Sequence, residues 1–257
     1  MRTKILLVAM VCFAALAFDL WADDSPPQTT FSVHPGQIRI GADFNGDTVT
    51  VTGRIPADAT AMIRITGQPE TCKLKEKGRV LGILWMNLGS VEIRKVPSVF
   101  LTYLPEGPHD PWLADKLQTL GLQGLRRQAE ILPADKQQDS VFEEFLKLKR
   151  KGGLYSAVDQ AIVLGPADGS TRSVSASLAL PAALPAGHFV VELISLRKDA
   201  EPIAANQQIT VSEVGMPAWI SNLAFKHGTL YGVLSVLVAV IAGLMTGIVF
   251  KGGKGSH

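Results

Sequence analysis

Between residues 37 and 104 the apolar positions fall mostly at every second residue. Gln37-Ile38-Arg39-Ile40 alternates, and so do residues 47–52 and 61–66, the period of a strand with one face turned to a core. Asn45-Gly46 lies between the first two runs and predicts a tight hairpin joining them, since these residues accept the positive φ such turns need. Residues 80–86 are apolar almost throughout and predict a strand buried on both faces. Residues 97–104 predict another, closed by Pro105. Short strands punctuated by Gly and Pro predict a β-sandwich.

After residue 107 the period changes. Pro111-Trp112-Leu113 opens a predicted helix with proline in its first turn. A second runs from Asp139 or Ser140, either able to cap it, to Lys151, with acidic residues early, basic ones late and Gly152-Gly153 as its stop. Val141, Phe145 and Leu148 form its expected apolar stripe. Strand alternation returns at residues 173–180. Pro185-Ala186-Gly187 has the spacing of a type II turn, and it resembles the corner before the penultimate strands of immunoglobulin-like sandwiches. Residues 203–214 predict the last strand.

Two runs depart from both periods. Residues 230–250 hold no Asp, Glu, Lys, Arg or His, and a helix of that length spans roughly 30 Å, the thickness of a bilayer core. Residues 216–228 before it are amphipathic, and Trp219 and Tyr231 suit the aromatic belt of a membrane interface. At the other end Arg2 and Lys4 precede a short apolar stretch, residues 5–18, and small residues leading to Ala22. That layout predicts a secretory signal peptide cut after Ala22, a retained N-terminal anchor being the rival reading. Export would place the body of the chain outside the cytoplasmic membrane and the tail inside it.

The predicted architecture is mainly β: an immunoglobulin-like β-sandwich ectodomain in two halves with a helical insertion, plus one C-terminal transmembrane helix. The boundaries are 1–22 for the signal peptide, 23–107 and 159–215 for the two parts of the sandwich, and 108–158 for the insertion. The juxtamembrane segment is 216–228, the span 229–250 and the cytoplasmic tail 251–257.

Charge adds little. The chain carries 25 basic and 23 acidic residues; removing Arg2, Lys4 and Asp19 with the signal leaves 23 against 22, a balance that does not suggest nucleic acid. With Cys12 gone, Cys72 has no internal disulfide partner, and no CxxC motif surrounds it; it reads as a small buried residue, with a redox role as the alternative. The histidines at 34, 109, 188, 227 and 257 lack metal-site spacing. Asp43-Phe44-Asn45-Gly46-Asp47 lacks the later glutamate of a calcium loop. Neither GxSxG nor a glycine-rich phosphate loop occurs. Trp85, Phe100 and Tyr103 read as core aromatics, and the basic cluster at 147–151 as a solvated helix end rather than a headgroup site. No cofactor and no catalytic set is expected.

One arrangement carries a mechanism. Ser235, Ala239, Gly243 and Gly247 stand four apart and share one helix face, with Gly243 and Gly247 as a GxxxG. In lipid, small residues let helix backbones approach closely, which is the main source of helix–helix affinity. Spans also carry such residues by chance, and whether the neighbour is a second copy or another protein stays open.

Five stretches together carry a likeness: Gly82-Ile83-Leu84-Trp85-Met86-Asn87, Val96-Pro97-Ser98-Val99-Phe100, Gly153-Leu154-Tyr155, Leu184-Pro185-Ala186-Gly187 and Leu230-Tyr231-Gly232. In this order the chain resembles a transmembrane protein family first described in alphaproteobacteria. The resemblance implies a secreted β-rich domain on a C-terminal span in the bacterial inner membrane, no established activity, and a sulfite- or taurine-exporter-like permease as a candidate partner. The expected function is a non-enzymatic accessory or interaction subunit of a membrane complex. The alternative is a periplasmic ligand- or metal-handling module serving a redox or transport complex.

Overall fold

The computed structural model describes residues 29–80, 83–106, 110–133, 138–198 and 200–251. The expected signal peptide, its cut after Ala22 and tail residues 252–257 lie outside these residues, as does the side chain of Trp85.

The sandwich is built from β1 (Thr30–His34), β2 (Gln37–Ile40), β3 (Asp47–Pro56), β4 (Thr60–Thr66), β7 (Phe100–Pro105), β9 (Tyr155–Asp168), β10 (Thr171–Leu180), β11 (Gly187–Leu196) and β12 (Ile203–Glu213). Hydrogen bonding links them in the order β1-β3-β10-β9-β7-β4-β11-β12-β2. Read as strands A to G, β1-β3-β10-β9 is the A-B-E-D sheet and β7-β4-β11-β12 is C′-C-F-G, the order of a variable-type immunoglobulin-like sandwich. Proline at 35 interrupts the edge strand, and β2 crosses to lie parallel to β12. The Gln207 side chain ties the two layers together, accepting from the Val33 N–H at 3.1 Å and donating to its carbonyl at 3.3 Å.

Alternation explains the core. Val174, Ala176, Leu178 and Leu180 of β10 point inward between exposed residues. They meet Val49, Val51 and Ile55 of β3 and Ile63, Ile65, Val191 and Leu193 of the other layer in one cluster. The two halves of the sandwich interleave: β10 pairs with β3, and β11 with β4.

Between β4 and β7 the chain makes a long hairpin, β5 (Pro69–Val80) and β6 (Leu84–Pro97), which takes on a third strand, β8 (Glu130–Leu132). Between β7 and β9 lie α1 (Pro111–Leu120), α2 (Leu122–Gln128), β8 and α3 (Gln138–Lys151). A helix of ten residues is marginal alone. Here α1 is held by Leu113, which packs with Met62, Ile194 and Leu196 on the outer face of the sandwich; a fully buried side chain of this kind is worth about 1.5–3 kcal/mol. A second core forms where Val91, Ile93 and Val96 of β6 meet Leu125, Phe142, Phe145, Phe100 and Tyr155.

Several local expectations change. Asn45-Gly46 does not close a hairpin, because β2 and β3 have different partners. The residues form a crossover between layers, and the positive φ of Gly46 (96°) is used there, with the Leu180 carbonyl 2.6 Å from where a Cβ would stand. The described residues of the 80–86 run end β5 and begin β6, with Ile83 83% and Leu84 61% exposed, because no second layer among the described residues covers these two. Residues 97–104 are divided between β6 and β7 at Ser98-Val99. The hydrogen-bonded turn before β11 runs from Pro181 to Leu184 (3.1 Å), while Gly187 opens the strand at φ 148°. The α3 stripe is Phe142, Phe145, Leu146 and Lys149, with Leu148 exposed. Asp139 and Ser140 stand inside its first turn. Phe100 and Tyr103 are core aromatics as expected.

Candidate functional site: the membrane-proximal end

At Gly215, φ 65°, the chain leaves β12. Pro217 then starts α4 (Met216–Lys226), none of whose residues is buried. Trp219 is 57% and Phe225 89% exposed. The His227 N–H donates to the Leu223 carbonyl and the Tyr231 N–H to the His227 carbonyl, so α4 passes almost directly into α5 (Gly228–Lys251). Residues Gly228–Phe250 form one helix long and apolar enough to cross a membrane, and none of it is buried against the other described residues. At 1.5 Å per residue α5 reaches about 36 Å.

Ser235, Ala239, Gly243 and Gly247 fall on α5. A Cβ added at Gly243 or Gly247 would have nothing within 4 Å, so the described residues leave that face open. The Ser235 hydroxyl donates to the Tyr231 carbonyl (2.8 Å) and the Thr246 hydroxyl to the Ala242 carbonyl (2.7 Å). Both hydroxyls are thereby held against their own helix, as is usual for Ser and Thr in apolar surroundings. Trp219 and Tyr231 stand exposed on either side of the α4–α5 junction.

Strand directions define which end of the sandwich meets the membrane. The last residues of β12 lie beside the end of β2 and the start of β11. Thr66, the end of β4, pairs with Val190 and Phe100, so the β5–β6 hairpin leaves from that same end. The N-terminal strand enters at the opposite one, where Thr30 pairs with Arg54.

The base of the hairpin contains a buried cation. The Lys149 ammonium, 9% exposed as a side chain, lies 2.5 Å from Glu70 Oε1 and donates to the Ser98 carbonyl at 3.0 Å. It also sits 5.8 Å from the Phe145 ring centre and 5.5 Å from that of Tyr155, within cation–π range. The expected solvated helix end is therefore only partly so, since Lys149 turns inward. Cys72 is half-buried beside it, and burial pushes its thiol above its ordinary pKa, with Lys149 acting against and Glu70 with that shift. A raised thiol pKa disfavours the reactive thiolate at neutral pH.

A groove of about 530 Å³ opens between α1–α2 and the sandwich, lined by Arg64, Lys95, Phe100, Leu120, Leu125 and Glu192 among others. Arg64 Nε donates to Glu192 at 2.7 Å and its Nη1 to the Leu120 carbonyl at 3.1 Å. Among the described residues no group of three or more His, Cys, Asp or Glu is placed to hold a metal. Sequence reading missed the groove and the Lys149 pair, because both join residues far apart in the chain.

A family profile described as "Putative transmembrane protein (Alph_Pro_TM)" matches residues 28–252. The chain belongs to this family. Among the described residues α5 is the one helix that can account for that description, so the protein is a single-pass membrane protein. A search of curated proteins returned no match. Among solved structures, murine CRIg is similar at 7% identity and a TM-score of 0.28, over 74% of this chain and 100% of that one, a likeness too low to add to the strand order.

Proposed function

We propose that the protein is a non-enzymatic, membrane-anchored accessory subunit of a membrane complex, with its sandwich on the periplasmic side of the bacterial inner membrane. The carrying observation is that none of the other described residues buries α5 from Gly228 to Phe250. Only lipid and other membrane-embedded segments can lie against it, and the open face at Gly243 and Gly247 suits a helix. The partner is an integral membrane protein, an exporter-like permease being the candidate, or a second copy through the same helix. The expected signal peptide and the tail lysines Lys251 and Lys254 support the orientation.

Purification from native membranes in mild detergent tests this reading. An integral membrane protein, or a second copy, should accompany the wild type and fall by about tenfold, some 1.4 kcal/mol, when Gly243 and Gly247 both become Leu. The double variant should still insert, because nothing in the chain occupies the space its side chains would fill. A solitary wild-type monomer overturns the proposal, as does an alkaline phosphatase that is active when fused to the C-terminus.

A second reading, a ligand-handling module, is favoured by the groove at Arg64. It predicts a small molecule released on denaturing the purified protein and absent from Arg64→Ala, with partner binding unchanged.

A further inference from the structure

The β5–β6 hairpin is long for its surroundings. β5 alone has 12 residues, about 40 Å when extended. Its lower half is covered by α3 and β8, for Leu74 and Val91 belong to the second core or its margin and β8 reaches only Glu92. Beyond that no third strand pairs with it, and its tip is apolar: Ile83, Leu84 and Met86 are 83%, 61% and 52% exposed. Below the tip, β5 carries exposed Lys75, Lys77 and Arg79 with one exposed carboxylate among them, Glu76. An apolar tip above a basic stem is unusual on a surface that meets only water.

Its direction follows from the topology. The hairpin leaves the sandwich at the end from which the chain passes into α4 and α5. α1 starts near Ile194 and Leu196, far from that end, and finishes at Leu120 beside Arg64. β8 then pairs Glu130 with Arg94 and Leu132 with Glu92, continuing toward the tip. The chain from 111 to 132 thus runs down the sandwich and onto the hairpin, so the hairpin extends beyond the membrane-proximal end.

We propose that the tip, residues 83–86, inserts into the lipid leaflet on which α4 lies, as a second anchor for the ectodomain. The occupant is lipid bearing anionic headgroups. Apolar side chains enter the acyl boundary while the lysines and arginine stay at headgroup level, the division of labour seen in interfacial segments. Trp85, of the residue type that favours that boundary, lies between Leu84 and Met86 in the chain. With α5 crossing the bilayer and the tip dipping into it, the sandwich would be held at two points and lose its freedom to swivel about Gly215.

The test uses the full chain with Cys12→Ser and Cys72→Ser, reconstituted in phosphatidylcholine vesicles containing phosphatidylglycerol, with single cysteines labelled by an environment-sensitive fluorophore. Label at Ile83→Cys should be blue-shifted and quenched by nitroxide-bearing lipid, as at Trp219→Cys, whereas label at Thr171→Cys, on the far end, should not. The quenching at 83 should persist on dilution with lipid and weaken when Lys75 and Lys77 both become Glu. Leu84→Cys serves as an independent labelling position. Label at 83 and at 84 left unquenched while 219 is quenched overturns the proposal. So does a blue shift that vanishes on dilution, which would assign the tip to a second copy.

Discussion

The Lys149–Glu70 pair shows how one residue can tie two parts of the molecule together. Lys149 lies in the last turn of α3, Glu70 near the start of β5, and the Ser98 carbonyl belongs to the link into β7. The ammonium lies behind Phe145 and Tyr155 and depends on its partner, whereas Glu70 keeps 39% of its side chain in water. The two halves of the pair should then differ on mutation. Glu70→Ala leaves a buried cation with one neutral acceptor and should cost about 2 kcal/mol. Lys149→Met leaves a solvated carboxylate and a well-filled site, and should cost less. Denaturation of the two variants in detergent reads the order; equal losses would mean that the pair's Coulombic attraction, not burial, dominates.

Among the elements, β1 depends on the absence of a side chain at Gly53. A Cβ there would lie 2.6 Å from the Thr30 carbonyl oxygen, 2.8 Å from the Phe31 Cβ and 2.9 Å from a Leu193 methyl. Two of these atoms belong to β1, so the edge strand has to move away from β3. Gly53→Ala is expected to cost roughly 1–3 kcal/mol and to raise amide exchange along residues 30–34 while β10, on the other side of β3, stays protected. Uniform loss of protection would show that β1 is not an independent edge. The β5–β6 hairpin is the opposite case, an element whose outer half takes no third strand and leaves Ile83, Leu84 and Met86 exposed.

For the molecule as a whole, each of the two large cores contains a buried tyrosine. The Tyr103 hydroxyl donates to the Ala179 carbonyl at 2.7 Å in the sandwich, and Tyr155 to the Pro97 carbonyl at 2.6 Å in the second core. Burial holds both phenols far above their ordinary pKa of 10.0, with Glu70 and Cys72 adding to the shift at Tyr155. A raised pKa in the folded state means stability is intact below the unfolded value and is lost as pH rises above it. Stability should therefore fall above pH 10.0 by about 1.4 kcal/mol per pH unit for each tyrosine. Near-ultraviolet circular dichroism against denaturant at several alkaline pH values measures the slope, and Tyr103→Phe should remove one tyrosine's share. An unchanged slope in that variant would mean that Tyr103 ionises without unfolding.

The span, the strands β2, β3, β4, β10 and β12 and the two longer helices of the insertion were legible in the residue order because each depends on neighbours a few positions apart, whereas β5 and β9 were not. An uncharged run of bilayer length and an alternation of two are local properties, and local properties survive whatever the rest of the chain does. Partnership is not local. That β2 joins β12 rather than β3, that the two parts of the sandwich interleave, and that Lys149 turns inward to Glu70 follow from contacts between residues 79 or more positions apart. The apolar run at 80–86 makes the distinction plainest: its composition is that of a buried strand, but burial requires a second surface. Folding places no second layer from the described residues over Ile83 and Leu84, and leaves them largely exposed.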